Sequence, residues 1–477
     1  MVKAFERRAT KLENPFGIEL IWRNSRAYTV DYKTYNKLLD RGKREKKSDE
    51  EAGSSEKDTY LIIDSLCEID EYDRVTEVAA ITRPNILVIL SLICFVTGKP
   101  LTTFGFNSIF STVAEPGATL PVNAPRLELE GDDYSDSLAA LLKTMRDLPQ
   151  SKQTLIYSLL DRWRKASYLN EENEESHLFE DEAVLACFHI LELLGNHYGQ
   201  KIDTDTDQKV AAFTQDVLKN IFYIENSNIS AEVNKLIHTT LSSYKTVKPK
   251  ILRMLQEQGM LTPKSKALIE RFLEHRNAIA HGRVNLYEDK AIFPLKPFFT
   301  HKKDIYFDLE TIRIVSARAI ASFLGTDLWE DQWDELIDNE LPTYDQVKGF
   351  IKARSYEKLS WEQMQDGHTN GISVGVLIHY YRNDTLNFIP FEQALSKFIQ
   401  DVKLTDQNDM LVLYVATILA DSKNDSIAKS SQKLLATIND SKLQARFQMR
   451  DILKELAYQG KEPQWLKAFL IQRASQS

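Results

Sequence analysis

Cysteine is scarce in this chain of 477 residues: Cys67, Cys94 and Cys187 stand without paired spacing, mostly among apolar neighbours. That excludes a disulfide framework and the paired-cysteine zinc patterns, and it reads as reduced thiols of an intracellular protein. A Gly-rich phosphate loop is also missing, because Thr97-Gly98-Lys99 lacks the upstream glycine such a loop needs. The first third holds no Ser-His-Asp arrangement and no metal cluster. Residues Met1 to Lys11 carry no apolar segment of the secretory kind, and the apolar run between Asn85 and Gly98 is too short to cross a bilayer. A cytoplasmic protein with no membrane contact, no metal and no cofactor is therefore expected. Excess positive charge is lacking too, since a net charge of −9 argues against whole-surface binding to nucleic acid.

What is present is an ordinary globular composition, 43% hydrophobic and 27% charged, in a chain too long for one core. Periodicity assigns an α+β class in three parts. Residues 1–135 form a β-rich domain with a sensing or regulatory role: runs Gly17 to Trp22 and Ala27 to Tyr32 form a hairpin about Arg23-Asn24-Ser25-Arg26, Tyr60 to Ser65 and Arg74 to Ile81 read as strands, and the apolar run after Asn85 is a buried helix or strand. Arg41 to Asp58, nearly devoid of apolar residues, is a loop. Residues 136–328 are helical, with segments Ser137 to Arg146, Ser151 to Tyr168, Asp181 to Leu194, Asp207 to Tyr223, Ser230 to Tyr244, Lys248 to Gln258, Pro263 to His281 and Leu309 to Leu324, the last capped by Asp308. Ala291 to Asp308 suggests two short strands with a basic turn at His301-Lys302-Lys303. Trp329 to Tyr344 reads as a polar connection into a helical interaction domain, residues 329–477, whose segments are Tyr344 to Lys358, Phe391 to Val402, Asp409 to Asp421, Asp425 to Ile438 and Lys442 to Tyr458.

The stretch around which the chain is organised runs from Glu270 to Arg283. At about 100° per residue, Leu268, Phe272 and Ile279 share one side of a helix, with Ile269, Leu273 and Ala280 beside them. Arg276 lands on that apolar face, while Asn277 and His281 stand at i and i+4 on its polar edge. Gly282 suits a left-handed helix end. His275 reads as a surface residue on the other flank. In the helix from Asp181 to Leu194, Glu192 falls among Val184, Leu185 and Phe188, a carboxylate that mirrors Arg276. Burying either charge alone is costly, so the two are expected to pair across helices. Between His238 and Arg283 stand nine Lys and Arg against three Glu, a locally basic flank to the motif.

Arg276-Asn277-x-x-x-His281 resembles the motif of the HEPN superfamily, an Arg and a His separated by four to six residues with Asn common after the Arg in its ribonuclease members. Leu159 to Arg164, Leu191 to Leu194 and Pro249 to Leu255 resemble, in order, other helices of HEPN domains of the ApeA-like kind. Ile89 to Pro100 resembles a segment common in their N-terminal domains. The resemblance implies a metal-independent endoribonuclease in prokaryotic antiviral, abortive-infection defence. It implies a homodimer through the HEPN bundle, RNA as partner, and a phage-derived or regulatory protein as trigger.

The chemistry asked of the motif is transesterification by the ribose 2′-hydroxyl. His281 would move protons, Arg276 would neutralise charge on the phosphate, and Asn277 would bond the phosphate or fix the His281 ring. Glu192 would hold Arg276, and Lys248, Lys250 and Arg283 would add contacts to RNA. Two other classes stay open: a non-catalytic HEPN module that binds a nucleotide or protein partner as a scaffold, and the toxin half of a toxin-antitoxin pair.

Overall fold

The computed structural model describes residues 2–40, 57–70, 77–102, 106–115, 117–176, 178–224, 226–237, 246–283, 305–368 and 371–475. Most of the expected loop at Arg41 to Asp58, the strands and basic turn within Ala291 to Asp304, and the end of the helix expected over Ser230 to Tyr244 lie outside these residues. The chain is α+β, with an antiparallel sheet toward the N-terminus and helices after it. It divides into two compact units. The first holds Met1–Leu261, Ile269–His281 and Ile305–Asp338, and the second holds Thr262–Leu268, Gly282–Asp304 and Asn339–Ser477. The β-rich part and the bundle, separate in the sequence reading, thus share one compact unit.

Among the described residues seven strands make the sheet: β1 (Val2–Lys11), β2 (Gly17–Trp22), β3 (Ser25–Asp31), β4 (Thr59–Ile69), β5 (Asn107–Val113), β6 (Arg126–Leu129) and β7 (Asp132–Asp133). Their order is β5-β1-β4-β3-β2-β6-β7. The hairpin at Arg23-Asn24 is as expected, with Arg23 at φ +52° in the left-handed region that a two-residue turn requires. Strand β1 was not legible because its sequence is so charged. It sits inside the sheet because its charges are satisfied across strands: Arg7 donates to both carboxylate oxygens of Asp64 on β4, at 2.6 and 2.7 Å, and buried Glu6 pairs with Arg8 and accepts from Thr82.

A first helix, α1 (Tyr32–Asp40), follows β3, and α2 (Val78–Thr97) follows β4. The expected strand at Arg74 to Ile81 is corrected here: its residues from Val78 onward begin α2, whose apolar β-branched content suits a buried helix as well as a strand. By length and composition this 20-residue helix is long and apolar enough to cross a membrane, yet over half of it is buried, packed on β1, β3 and β4 and on α4 (Gln150–Ser176). Burial pushes the Cys94 thiol on α2 and the Cys187 thiol up to about 12, which leaves both inert.

The bundle consists of α3 (Ser135–Asp147), α4, α5 (Glu180–Asn220), α6 (Asn226–Leu236), α7 (Val247–Glu257), α8 (Pro263–Ala280), α9 (Tyr306–Leu324) and α10 (Glu330–Asn339). Helix α10 replaces part of the polar connection expected from Trp329 to Tyr344; its buried Trp333 supplies the apolar anchor.

Two expected helices, Asp181 to Leu194 and Asp207 to Tyr223, are one continuous helix of 41 residues. Gly195 and Gly199, just past the expected end at Leu194, allow close packing of α7. A Cβ on Gly195 would stand 3.1 Å from Ile251 Cγ1 and 3.2 Å from its backbone nitrogen, and one on Gly199 would stand 2.9 Å from Lys250 Cγ. The neighbours differ in what they can yield. Gly195→Ala meets backbone, so overpacking of about 1–3 kcal/mol outweighs a helix-propensity gain of about 1 kcal/mol and the variant is less stable. Gly199→Ala meets the Lys250 stem at its Cγ, close to the backbone, so it is expected to cost less than Gly195→Ala but not to stabilise. Urea unfolding should therefore show the larger loss of stability in Gly195→Ala, and a stabilised Gly199→Ala would contradict this account.

The second unit is helical: α11 (Tyr344–Lys352), α12 (Trp361–Gln365), α13 (Val374–Arg382), α14 (Phe388–Asp401), α15 (Asp409–Leu419), α16 (Asp425–Asp440), α17 (Ala445–Tyr458) and α18 (Gln464–Ala474). Its core runs from Val347 to Leu466 through Phe391, Leu413 and Ile452. Polar ties are local to it: Asp421 accepts from the backbone nitrogens of Gln464 and Trp465 at the start of α18, at 2.7 and 2.9 Å, and Glu455 pairs with Arg382 and accepts from Tyr414.

Candidate functional site

Helix α8 carries the motif at its C-terminal end. Leu268, Ile269 and Phe272 are buried at i, i+1 and i+4, and they fix which way the helix faces. The stripe continues to His275 rather than ending at Phe272. His275 is only 5% exposed, and its Nε2 lies 2.6 Å from Asp308 Oδ2 on α9, whose other oxygen stands 2.7 Å from Arg271 Nε. This corrects two expectations: His275 is a buried helix-to-helix tie, and Asp308 lies inside the first turn of α9 and is engaged by α8 rather than acting as a cap. A histidine three residues after buried Phe272 and seven after Leu268 was the available signal.

Burial alone would raise the Asp308 carboxyl. The hydrogen bond to His275 and the guanidinium of Arg271 outweigh that and hold it below the usual aspartate range. A depressed carboxyl contributes stability that is fully present above the ordinary aspartate value near about 4 and is lost as pH falls through the folded value. Asp308→Asn should accordingly cost about 1–3 kcal/mol at pH 7. The gap to wild type should close as pH drops below about 4, which denaturant titrations at several pH values would reveal.

Beyond His275 the last turn of α8 emerges from the core. Arg276 keeps 30% of its side chain exposed, Ile279 is half-buried, and Asn277, Ala280, His281, Gly282 and Arg283 are exposed. The expected pairing is present: Arg276 Nη2 donates to Glu192 Oε1 on α5 at 2.9 Å, and the Glu192 side chain is 18% exposed. Arg276 Nη1 donates to Asn277 Oδ1 at 3.1 Å, and the guanidinium lies 5.9 Å from the centre of the Phe188 ring. Arg276 is therefore held by a charge, an amide and an aromatic face, with part of its donor fork left toward solvent. His281 follows the last helical residue, its backbone nitrogen bonded to Asn277 O at 3.2 Å, and Gly282 takes φ +64° to close the helix. Among the described residues the His281 ring makes no hydrogen bond.

The basic flank is less free than its composition suggests. Lys248 pairs with Glu270 at 2.7 Å, Arg253 with Glu257 at 2.7 Å and Asp205 at 3.3 Å, and Arg271 with Asp308. Lys250 lies along Gly199 and donates to Asn196 Oδ1 at 3.0 Å. Carboxylates from α5 and α9, remote in sequence, neutralise charges that a local count leaves unbalanced. Arg283 is exposed just past the helix. Lys245 lies outside the described residues.

Elsewhere in the first unit, Phe16 and Lys99 border two cavities of about 410 and 420 Å³. Neither includes a residue of the Arg276 cluster, and Glu13, Glu171 and Glu172 line the first, a poor setting for a phosphate. No group of three or more His, Cys, Asp and Glu side chains among the described residues stands ready to hold a metal ion. No family model matches the chain, and neither the curated proteins nor the solved structures include a significant match to it.

Proposed function

We propose that this chain is a metal-independent endoribonuclease of the HEPN kind, acting on RNA in the cytoplasm as part of prokaryotic antiviral defence. The observation that carries the reading is the end of α8, where Arg276 is oriented by Glu192 and Asn277 and remains partly open to solvent, with His281 exposed beside the helix end. A guanidinium so held can donate to phosphate oxygens without first finding its geometry, and that preorganisation is what transition-state stabilisation requires. An imidazole is the side chain whose ordinary range suits proton transfer near neutrality.

In this reaction the 2′-hydroxyl loses its proton to a base and its oxygen bonds to phosphorus. The bond from phosphorus to the 5′-oxygen breaks, and an acid supplies that oxygen with a proton. The products are a 2′,3′-cyclic phosphate and a 5′-hydroxyl. One motif offers one His281 for two proton transfers, so the reading includes a homodimer in which two motifs share one cleft. Release from a phage-derived or regulatory trigger, or from the antitoxin of a two-protein system, belongs to the same reading.

The pairing of Lys248, Arg253 and Arg271 with carboxylates favours a second reading, a non-catalytic scaffold that binds a nucleotide or protein. Substrate chemistry separates the two. Incubation with RNA, with DNA of the same sequence and with 2′-O-methyl RNA should give cleavage of the first alone, because the attacking group is the 2′-hydroxyl. Cleavage of all three would contradict the proposed chemistry, and binding without cleavage of any, in every activated state tested, would favour the scaffold.

A further inference from the structure

The second unit carries a cationic cavity in which the motif has no part. A space of about 720 Å³ opens at the end of α16, the first turns of α17 and the end of α18, bordered by Arg446, Phe447, Arg450 and Arg473 together with Asp440. Arg446 and Arg450 stand at i and i+4 on α17, and Phe447 and Arg450 at i and i+3, so the three are neighbours on one flank of the helix. That placement works against the helix. Like charges one turn apart repel, and Arg446 lies in the first turn, where the macrodipole disfavours a cation. Among the described residues neither guanidinium makes a hydrogen bond or an ion pair that would offset this. Arg473 brings a third cation, held by Asp440 at 3.2 Å. Phe447 is 73% exposed, so its ring packs on little of the protein.

We infer that this cavity binds a nucleoside di- or triphosphate, with the phosphates on Arg446, Arg450 and Arg473 and the base on Phe447. The inference stands apart from the ribonuclease reading, since neither its residues nor its test involve the motif. Guanidinium forks match phosphate oxygens, and an exposed aromatic ring offers a stacking face to any base. The volume falls within the about 300–1,000 Å³ of small-molecule sites. Three arginines against the one carboxylate of Asp440 leave two positive charges around the cavity, which suit a chain of phosphates better than the single charge of a phosphodiester. An acidic peptide would satisfy the arginines but gives Phe447 no planar partner.

The test is calorimetric titration of the full-length protein with ATP, GTP, CTP and UTP, with the matching monophosphates, and with inorganic tripolyphosphate. At least one triphosphate should bind, about tenfold or more tighter than its monophosphate. Arg446→Gln and Arg450→Gln should each weaken that binding about tenfold, the loss of one charge-assisted contact, and Arg450→Lys should recover only part of it. Without ligand, both glutamine variants should unfold at a urea concentration no lower than wild type, because a charge that burdens α17 has been removed; a structural role would lower it. Phe447→Ala should weaken the nucleotide about tenfold and leave tripolyphosphate unaffected. Failure of all four triphosphates to bind, or binding that neither arginine variant weakens, would overturn the inference. Tripolyphosphate bound as tightly as every nucleotide, with no effect of Phe447→Ala, would make the cavity a polyanion site and overturn the assignment to a nucleotide.

Discussion

Replacing Arg276 with alanine is expected to slow RNA cleavage by about 10²- to 10³-fold, the effect of deleting one preorganised donor to a charged transition state. Its effect on stability should be small. The Arg276–Glu192 pair is partly exposed, and such pairs contribute about 1 kcal/mol or less. Arg276→Lys keeps the charge but loses the planar fork, and it should recover only part of the rate. Single-turnover rates read beside denaturant unfolding midpoints make the case decidable. A loss of cleavage no larger than the loss of folded protein would make Arg276 a strut between α5 and α8 and nothing more.

The largest effect on stability should come from Phe272. It is fully buried one turn before Arg276, and truncation to alanine removes an aromatic ring from a core that cannot collapse around the gap. A cost of about 3–5 kcal/mol is expected, against about 1.5 kcal/mol or less for Phe272→Leu, which nearly conserves volume. Because Phe272 sets the rotation of α8, Phe272→Leu should also lower the cleavage rate slightly by shifting Arg276 relative to Glu192. Unfolding curves of the two variants test the first statement, and single-turnover rates at a temperature where both are folded test the second.

Much of the fold was legible because most helices carry a clear apolar period, and because the Arg23-Asn24 turn joins two alternating strands. The strand expected at Arg74 to Ile81 failed on local ambiguity, but the other misreadings turn on interactions between residues distant in sequence. Strand β1 gave no strand signal because the partners that satisfy Arg7 and Glu6 stand on β4 and α2. Helix α5 was read as two helices because α7, which packs against Gly195 and Gly199, lies some fifty residues on. At the site, the pairing of Arg276 with Glu192 could be read from two opposite charges on two apolar faces. His275 was read as a surface residue although it continues the Leu268–Phe272 stripe, because Asp308 was read as a helix cap rather than as a partner for α8.

The central claim is that the end of α8 cuts RNA by metal-free transesterification. The most direct measurement incubates purified full-length protein with total RNA in excess EDTA and compares wild type with His281→Ala by the chemistry of the new ends. The account predicts 2′,3′-cyclic phosphate and 5′-hydroxyl ends with wild type, and a rate lower by about 10²- to 10⁴-fold with the variant, which should fold normally because His281 is exposed. Equal cleavage by both proteins, or ends bearing a 3′-hydroxyl and a 5′-phosphate, would contradict it.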